Sequence, residues 1–523
     1  MRVGSARTAA FATAVFVGVA ASHGGFGSHQ DSTPKAASVS LPAGIAGGPS
    51  AALLTAAGGG KGVAVNHRRL EKLPASTSFF PIAVWDQSPQ GGNVPAPYAN
   101  QAAAFKAMGI NVFLGLYGWP ENYGSDNGEI EAAAAEGMYV VAGGDPYSDT
   151  SPQSVASVEA LVATLPASEQ QYFAGYQWLD EPAACNGSGE TQSIAAQIAT
   201  VNSEDPGKII SANEGSWAAF LPNNLMGSST CLTQAEANLK DASMLSADDY
   251  ALTDPWHSSQ CIGANCIYLY GQEAANLKHF AKPTQPVWEF VETGTDDLGY
   301  SSQNGACDAA TNLCANGNEY RATPVQVNSS AWDAVINGAR GIEWFCDDTI
   351  AYDACAGGGS DGNPAEGGST VIPANLTYID QNIEGFASEL NSPDVGGLTV
   401  SSSNSSVPVT SMLKKVDGQY YLFTESNRDG ATTATYADPA FANKTATLVY
   451  DSAANYDPAS SEQGNSFTVS ADGSFTDTLG TSANPYQVKV YEIGNAGGSK
   501  LAGPNAAQCT HQWTSAFTLT CKQ

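Results

Sequence analysis

From Phe79 onward, short apolar runs alternate with stretches of helical character, and each apolar run ends on polar or acidic residues. This alternation predicts βα units and a parallel sheet. Strands are expected at 79–85 (FFPIAVW), 110–116 (INVFLGL), 138–144 (MYVVAGG), within 172–182 (YFAGYQWLDEP), and at 208–215 (KIISANEG), 244–250 (MLSADDY), 286–292 (PVWEFVE) and 341–346 (GIEWFC). Helices are expected at 98–109, 128–137, 152–165, 191–204, 234–241, 274–280 as part of a sixth helix, 324–339 and 375–390. Eight units over roughly 315 residues suit a (β/α)8 barrel with insertions, so an α/β barrel is expected at 79–391.

After Pro393 the helical pattern stops and strands follow one another: VPVTSMLKKV, GQYYLFTESN, TATLVYD, NSFTVSADGSFTDTL and YQVKVYEI. Asp417-Gly418 and Asp472-Gly473 carry hairpin signals, so 394–494 should form an antiparallel β-sandwich whose main role is packing. Residues 495–523 look like a linker and a small disulfide-closed loop. At the other end, Arg2 and Arg7 precede the apolar core AAFATAVFVGVAA, so 1–21 resembles a signal peptide. Residues 22–78 are expected to be a flexible leader, being largely rich in Gly, Ala, Ser and Pro without periodicity. No later stretch approaches the roughly 18 uninterrupted apolar residues of a membrane span.

Composition narrows the possible partners. Formal net charge is −30 and the pI about 4.3, which disfavours nucleic acid and anionic membrane surfaces. Only 14% of residues are charged and 54 are glycine, which suits a secreted, extracellular protein. Ten cysteines agree with an oxidising compartment. Taken as neighbours they pair Cys185 with Cys231, Cys261 with Cys266, Cys307 with Cys314, Cys346 with Cys355, and Cys509 with Cys521. Without CxxC pairs or a cysteine–histidine cluster, neither a metal site nor any cofactor is expected.

The chemistry concentrates where strands end. Asp180, Glu181 and Pro182 close the fourth strand, and Glu292 closes the seventh; barrel enzymes place their catalytic groups at these C-terminal ends. A pair of carboxylates there suggests glycosidic bond cleavage. The plainer alternative makes Asp-Glu-Pro a helix N-terminus, where acids favour the dipole. Glu289 competes with Glu292, but it lies three residues earlier and should face the other side of the strand, so Glu292 is favoured. Trp85, Asp86, Tyr117, Trp119, Asp145, Asn213, Tyr250 and Trp344 mark the remaining strand ends, a mixture of aromatic and polar groups that suits a sugar cleft. Glu214 and Asp249 are further acids expected on this rim.

The runs FFPIAVWDQSP, GYQWLDEP, PVWEFVET and GIEWFC resemble those of clan A glycoside hydrolases, and are similar to barrels related to family 42 beta-galactosidases. The resemblance implies an acid/base at Glu181 and a nucleophile at Glu292, with a retaining double displacement. It also implies a nucleophile-contacting tyrosine at Tyr250 and a sugar-stacking tryptophan at Trp344. Many clan members carry Asn immediately before the acid/base, to hold the sugar 2-hydroxyl; here that position is Asp180. The expected partner is a carbohydrate. An inverting glycosidase, or a carbohydrate-binding or wall-associated barrel without turnover, are the alternatives.

Overall fold

In a computed structural model, the structure describes residues 73–74, 76–85, 98–114, 128–143, 159–160, 162–179, 196, 198–215, 239–252, 266–293, 307–308, 313–314, 322–345, 371–481, 484–494, 509–513 and 517–521. The expected signal peptide and nearly all of the leader lie outside them.

Eight parallel strands form the barrel: β1 (Ile82–Trp85), β2 (Val112–Leu114), β3 (Tyr139–Gly143), β4 (Phe173–Leu179), β5 (Ile209–Gly215), β6 (Met244–Asp248), β7 (Glu289–Glu292) and β8 (Ile342–Phe345). The order is β6-β5-β4-β3-β2-β1-β8-β7. A single parallel bridge from Leu245 to Val287 closes the ring, with Trp288 N donating to Leu245 O at 2.8 Å. Strand alternation sorts the apolar side chains into two layers. Ala83, Val112, Val141, Ile209, Met244, Trp288 and Phe290 fill the interior. Ile82, Val84, Phe113, Val140, Ile210, Leu245, Val291 and Ile342 face outward, toward the helices.

The barrel's longer helices among the described residues are α1 (Tyr98–Met108), α2 (Gly128–Ala135), α3 (Tyr268–Phe280), α4 (Pro324–Asn337) and α5 (Val371–Gly385). Thr323 and Gln326 close a capping box at the start of α4, Pro324 takes its first position, and Gly338 (φ 126°) ends it. Every residue of α4 from Val325 to Ile336 is buried, the mark of a helix covered all round.

The second cover is a β-sandwich. Its strands are β9 (Thr399–Ser402), β10 (Val409–Val416), β11 (Gln419–Ser426), β12 (Thr432–Ala437), β13 (Thr445–Asp451), β14 (Ser466–Thr468), β15 (Ser474–Leu479) and β16 (Val488–Gly494). They form a five-stranded sheet, β10-β11-β16-β13-β14, and a three-stranded sheet, β9-β12-β15. Asp417 (φ 50°) and Gly418 (φ 85°) make the expected tight turn between β10 and β11, since two left-handed residues match the strand twist. Leu422, Tyr436, Leu448 and Tyr491 pack between the sheets. The other face of the larger sheet, with Tyr421, Phe423, Tyr450 and Val490, belongs to the same apolar cluster as the barrel's outer layer. Trp332 of α4 stacks on Phe423 at 6.0 Å and lies 5.5 Å from Tyr450.

Between barrel and sandwich, Asp394 pairs with Lys414 at 2.6 Å, Arg340 at 3.2 Å and Lys278 at 3.2 Å. These cations hold its carboxyl below the usual range despite burial. Burial and the neighbouring Arg340 bring the Lys414 ammonium down to about 7. Cys307 stands opposite Cys314, and Cys509 opposite Cys521, in the registers of two small antiparallel ladders. Cys266 is disulfide-bonded. Cys185, Cys231, Cys261, Cys346 and Cys355 lie outside the described residues.

One apolar cluster runs from the barrel into the larger sandwich sheet, so barrel and sandwich should unfold as one cooperative unit. Trp332→Ala should cost about 3–5 kcal/mol, the range for emptying a buried aromatic site. Urea unfolding of the wild type, followed by fluorescence and far-UV dichroism, should show one transition; two well-separated transitions would contradict the shared core.

Candidate active site

The barrel interior grows polar toward the C-terminal ends of its strands. On β5, Ile209 is followed on the same face by Ser211 and Asn213; on β6, Met244 is followed by Ser246 and Asp248; on β7, Trp288 and Phe290 lead to Glu292. Ser246 Oγ donates to Asn213 Oδ1 at 3.1 Å, fixing the amide. Glu343, which sequence reasoning missed, sits beside Phe290 on this inner face and is fully buried. Trp85 lies half-buried, edge-on to Phe290 at 5.3 Å. Tyr250 packs against Phe345 with ring centres 4.4 Å apart, and its hydroxyl reaches Asp248 Oδ2 at 3.4 Å. Asp248 is therefore the acid on the inner face, whereas Asp249 is fully buried near Tyr270 and Glu289. Alternation turns the equally buried Glu214 outward from β5.

Strand β4 is irregular in two places, because its register skips Ala174 against β3 and Trp178 against β5. Such bulges re-aim a strand near a site. The second falls immediately before Asp180 and Glu181. These two, with Asp86, Tyr117 and Asp145, lie outside the described residues.

Glu292 is 2% exposed. Leu252 N donates to its Oε1 at 2.9 Å, and Tyr270 Oη donates to the same oxygen at 2.5 Å. Burial and the adjacent Glu292 push the Tyr270 phenol well up, so it remains a protonated donor. Tyr270, which sequence reasoning did not single out, supplies this hydroxyl. The expected 274–280 is the later part of helix α3, which begins at Tyr268 and so places Tyr270 in its first turn. Gly271, a poor helix former, obscures that start in the sequence. It is there because a Cβ would lie 2.3 Å from Asn337 Nδ2 and 2.4 Å from Asp333 Oδ2.

That close approach serves a hydrogen bond. Asp333 Oδ2 accepts Gly271 N at 2.9 Å, while Asn337 and Asn427 donate to Oδ1 at 3.0 Å and 3.2 Å. Burial outweighs these donors and brings the Asp333 carboxyl up to about 6. Glu289 points away from the barrel interior into the β7–α3 layer, against Glu273. Both are fully buried, and two carboxylates can bond only if one holds a proton. Burial indeed pushes Glu289 well up, with Asp249, Glu343 and Asp248 adding to the effect.

Trp344 requires a correction. It belongs to the outward layer of β8, is fully buried, and donates its indole N–H to Asp380 of α5 at 3.0 Å. It packs between sheet and helix and cannot stack on a ligand at the barrel mouth. Among the described residues, no group of three or more His, Cys, Asp or Glu could hold a metal ion, and no helix is long and apolar enough to cross a membrane.

No protein-family model and no curated protein matches the chain. Several solved structures are similar to it at low identity. A family 30 endoxylanase from Clostridium papyrosolvens is 14% identical, with 80% of this chain and 97% of that one covered and a TM-score of 0.38. An Anoxybacillus alpha-amylase is 9% identical, with 82% and 100% covered and a TM-score of 0.46. A putative alpha-galactosidase from Bacteroides fragilis is 12% identical, with 80% of each chain covered and a TM-score of 0.45. Likenesses this distant do not carry activity across, and none of the three is a family 42 beta-galactosidase.

Asp333 gives the pH dependence a sign. Its folded-state value of about 6 exceeds the ordinary 3.8, so its contribution is fully present below 3.8 and is lost as pH rises through 6. The loss amounts to up to about 3 kcal/mol. Thermal melts of the wild type between pH 4 and 7.5 should fall with rising pH, and Asp333→Asn should flatten that fall. An unchanged slope in the variant would show that Asp333 does not titrate in this window.

Proposed function

We propose that the chain is a secreted retaining glycoside hydrolase acting on an extracellular poly- or oligosaccharide, with Glu292 as nucleophile and Glu181 as acid/base. The observation that carries this reading is the Glu292 carboxylate. It ends β7 on the inner face of the barrel, at the C-terminal end where barrel enzymes do their chemistry, and two donors hold one of its oxygens. Glu289, turned the other way and pushed toward its neutral form by burial, supports Glu292 for the role.

In this mechanism Glu292 attacks the anomeric carbon while Glu181 protonates the departing glycosidic oxygen. The glycosyl-enzyme so formed is hydrolysed by a water that Glu181 deprotonates. Leu252 N–H and Tyr270 hold the attacking carboxylate in one orientation, so little is lost to rotation on the way to the transition state. Trp85 and Tyr250 offer aromatic faces to sugar C–H groups, and Asn213 and Asp248 offer polar atoms to hydroxyls. Export through residues 1–21 and kinship with barrels of the family 42 type belong to the same reading.

Product analysis over plant, fungal and bacterial-wall polysaccharides, including arabinans, galactans and glucans, tests the activity. On the substrate found, Glu292→Ala should abolish turnover, with azide restoring slow cleavage and inverted product. Glu181→Ala should retain glycosylation by an activated aryl glycoside yet accumulate the covalent intermediate. Each substitution should cost on the order of 10² to 10⁴-fold or more on the natural glycan. Near-normal activity in both variants, or nucleophile behaviour from Glu289→Ala, would overturn the assignment.

A further inference from the structure

Helix α3, which carries Tyr270, lacks a cap of its own. The residue before it, Ile267, is itself helical and makes no side-chain capping bond. Leu269 N and Tyr270 N are met by the carbonyls of Cys266 at 2.9 Å and Ile267 at 3.2 Å, and the next amide, Gly271 N, turns to a side chain outside the helix. Here one partner comes from another helix: Asp333 of α4 accepts Gly271 N at 2.9 Å, placing an acid where the helix dipole favours it.

The sandwich in turn grips this arrangement. Asn427 and Arg428 follow β11 in the connection to β12. Asn427 Nδ2 donates to Asp333 Oδ1 at 3.2 Å. The Arg428 guanidinium lies over the ring of Tyr268, the first residue of α3, with its carbon 3.4 Å from the ring centre. The turn is thus held at Tyr268 by stacking and at Gly271 by the transferred cap. Tyr270, between them, donates to Glu292.

We infer that the Asn427-Arg428 connection of the β-sandwich is a positioning element for Glu292, acting through the first turn of α3 and the Tyr270 hydroxyl. The inference rests on the reading of Glu292 as nucleophile for its kinetic consequence, though the mechanical coupling to α3 stands without it. Asn427 and Arg428 are positioning residues, since neither touches Glu292. The sandwich then does more than cover α4: it sets the geometry of a carboxylate on a different domain.

The test compares Arg428→Ala and Asn427→Ala with Tyr456→Phe in the full-length protein. Tyr456→Phe removes another sandwich-to-barrel hydrogen bond, from Tyr456 Oη to Asn375 Oδ1 at 2.7 Å on α5, remote from α3 in sequence and contact. On the glycan found by the substrate panel, Arg428→Ala and Asn427→Ala should lower kcat by about 10 to 100-fold with KM little changed. Arg428→Lys should recover part of it, and Tyr456→Phe should keep the wild-type kcat. Hydrogen exchange should show faster exchange at residues 268–273 and at Leu252 in the two alanine variants alone. If the alanine variants fail to fold, Arg428→Lys and Asn427→Gln are read in the same assays and should show smaller losses of the same kind. Unchanged kcat and unchanged exchange at α3 in the folded Asn427 and Arg428 variants would overturn the inference, as would an equal loss in Tyr456→Phe. If the wild type cleaves no glycan, the glycosidase reading fails, and the exchange measurement decides the coupling.

Discussion

A carboxylate almost closed off from water survives only where donors replace the lost hydration. Glu292 meets that condition through one backbone amide, from Leu252, and one phenol, from Tyr270. The amide depends on the chain that leaves β6, and the phenol on where α3 begins. The first turn of α3 is bonded at Gly271 N to Asp333 of α4, and Asp333 in turn accepts from Asn337 of α4 and Asn427 of the sandwich. A site at one end of the barrel is thus held by elements from three parts of the chain.

The same condition explains the acids around it. Glu289, Asp333, Asp380 and Glu425 are all buried, and burial raises each of them. They stay inside because a proton or a specific donor compensates: a proton shared with Glu273 for Glu289, the Trp344 indole for Asp380, the Ser329 hydroxyl for Glu425. A chain with formal net charge −30 therefore carries part of its acidity in groups that burial drives toward the neutral form.

Much of the fold was legible because it depends on period and spacing. Eight apolar runs separated by helices mark the barrel strands, and the switch to strands alone after Pro393 marks the sandwich. Glu292 was visible by the same logic, as the acid ending a strand. Finer assignments depended on facts that periodicity does not contain. Trp344 and Glu343 are neighbours in a short run, and only the register against β7 and β1 decides which faces inward. The same parity separates Asp248 from Asp249. Tyr270 was hidden by Gly271, whose reason for being glycine is a contact with Asp333, far away in sequence. The trans cap and the Asn427 contact have no local signal at all.

The larger sandwich sheet is apolar on both faces, one packed on its companion sheet and the other on α4. Synthesis runs from the N-terminus, so every barrel strand is made before residues 409–494. Until those emerge, Trp332 and the outer layer around it face water, and the cap of α3 lacks Asn427. Until residues 399–494 are added the barrel presents that apolar surface, and chains that fold domain by domain are exposed to aggregation in such an interval. The order of translation thereby delays a finished site until the sandwich strands have been made, and a protein truncated before them would present an unsatisfied apolar face to whatever machinery removes misfolded chains.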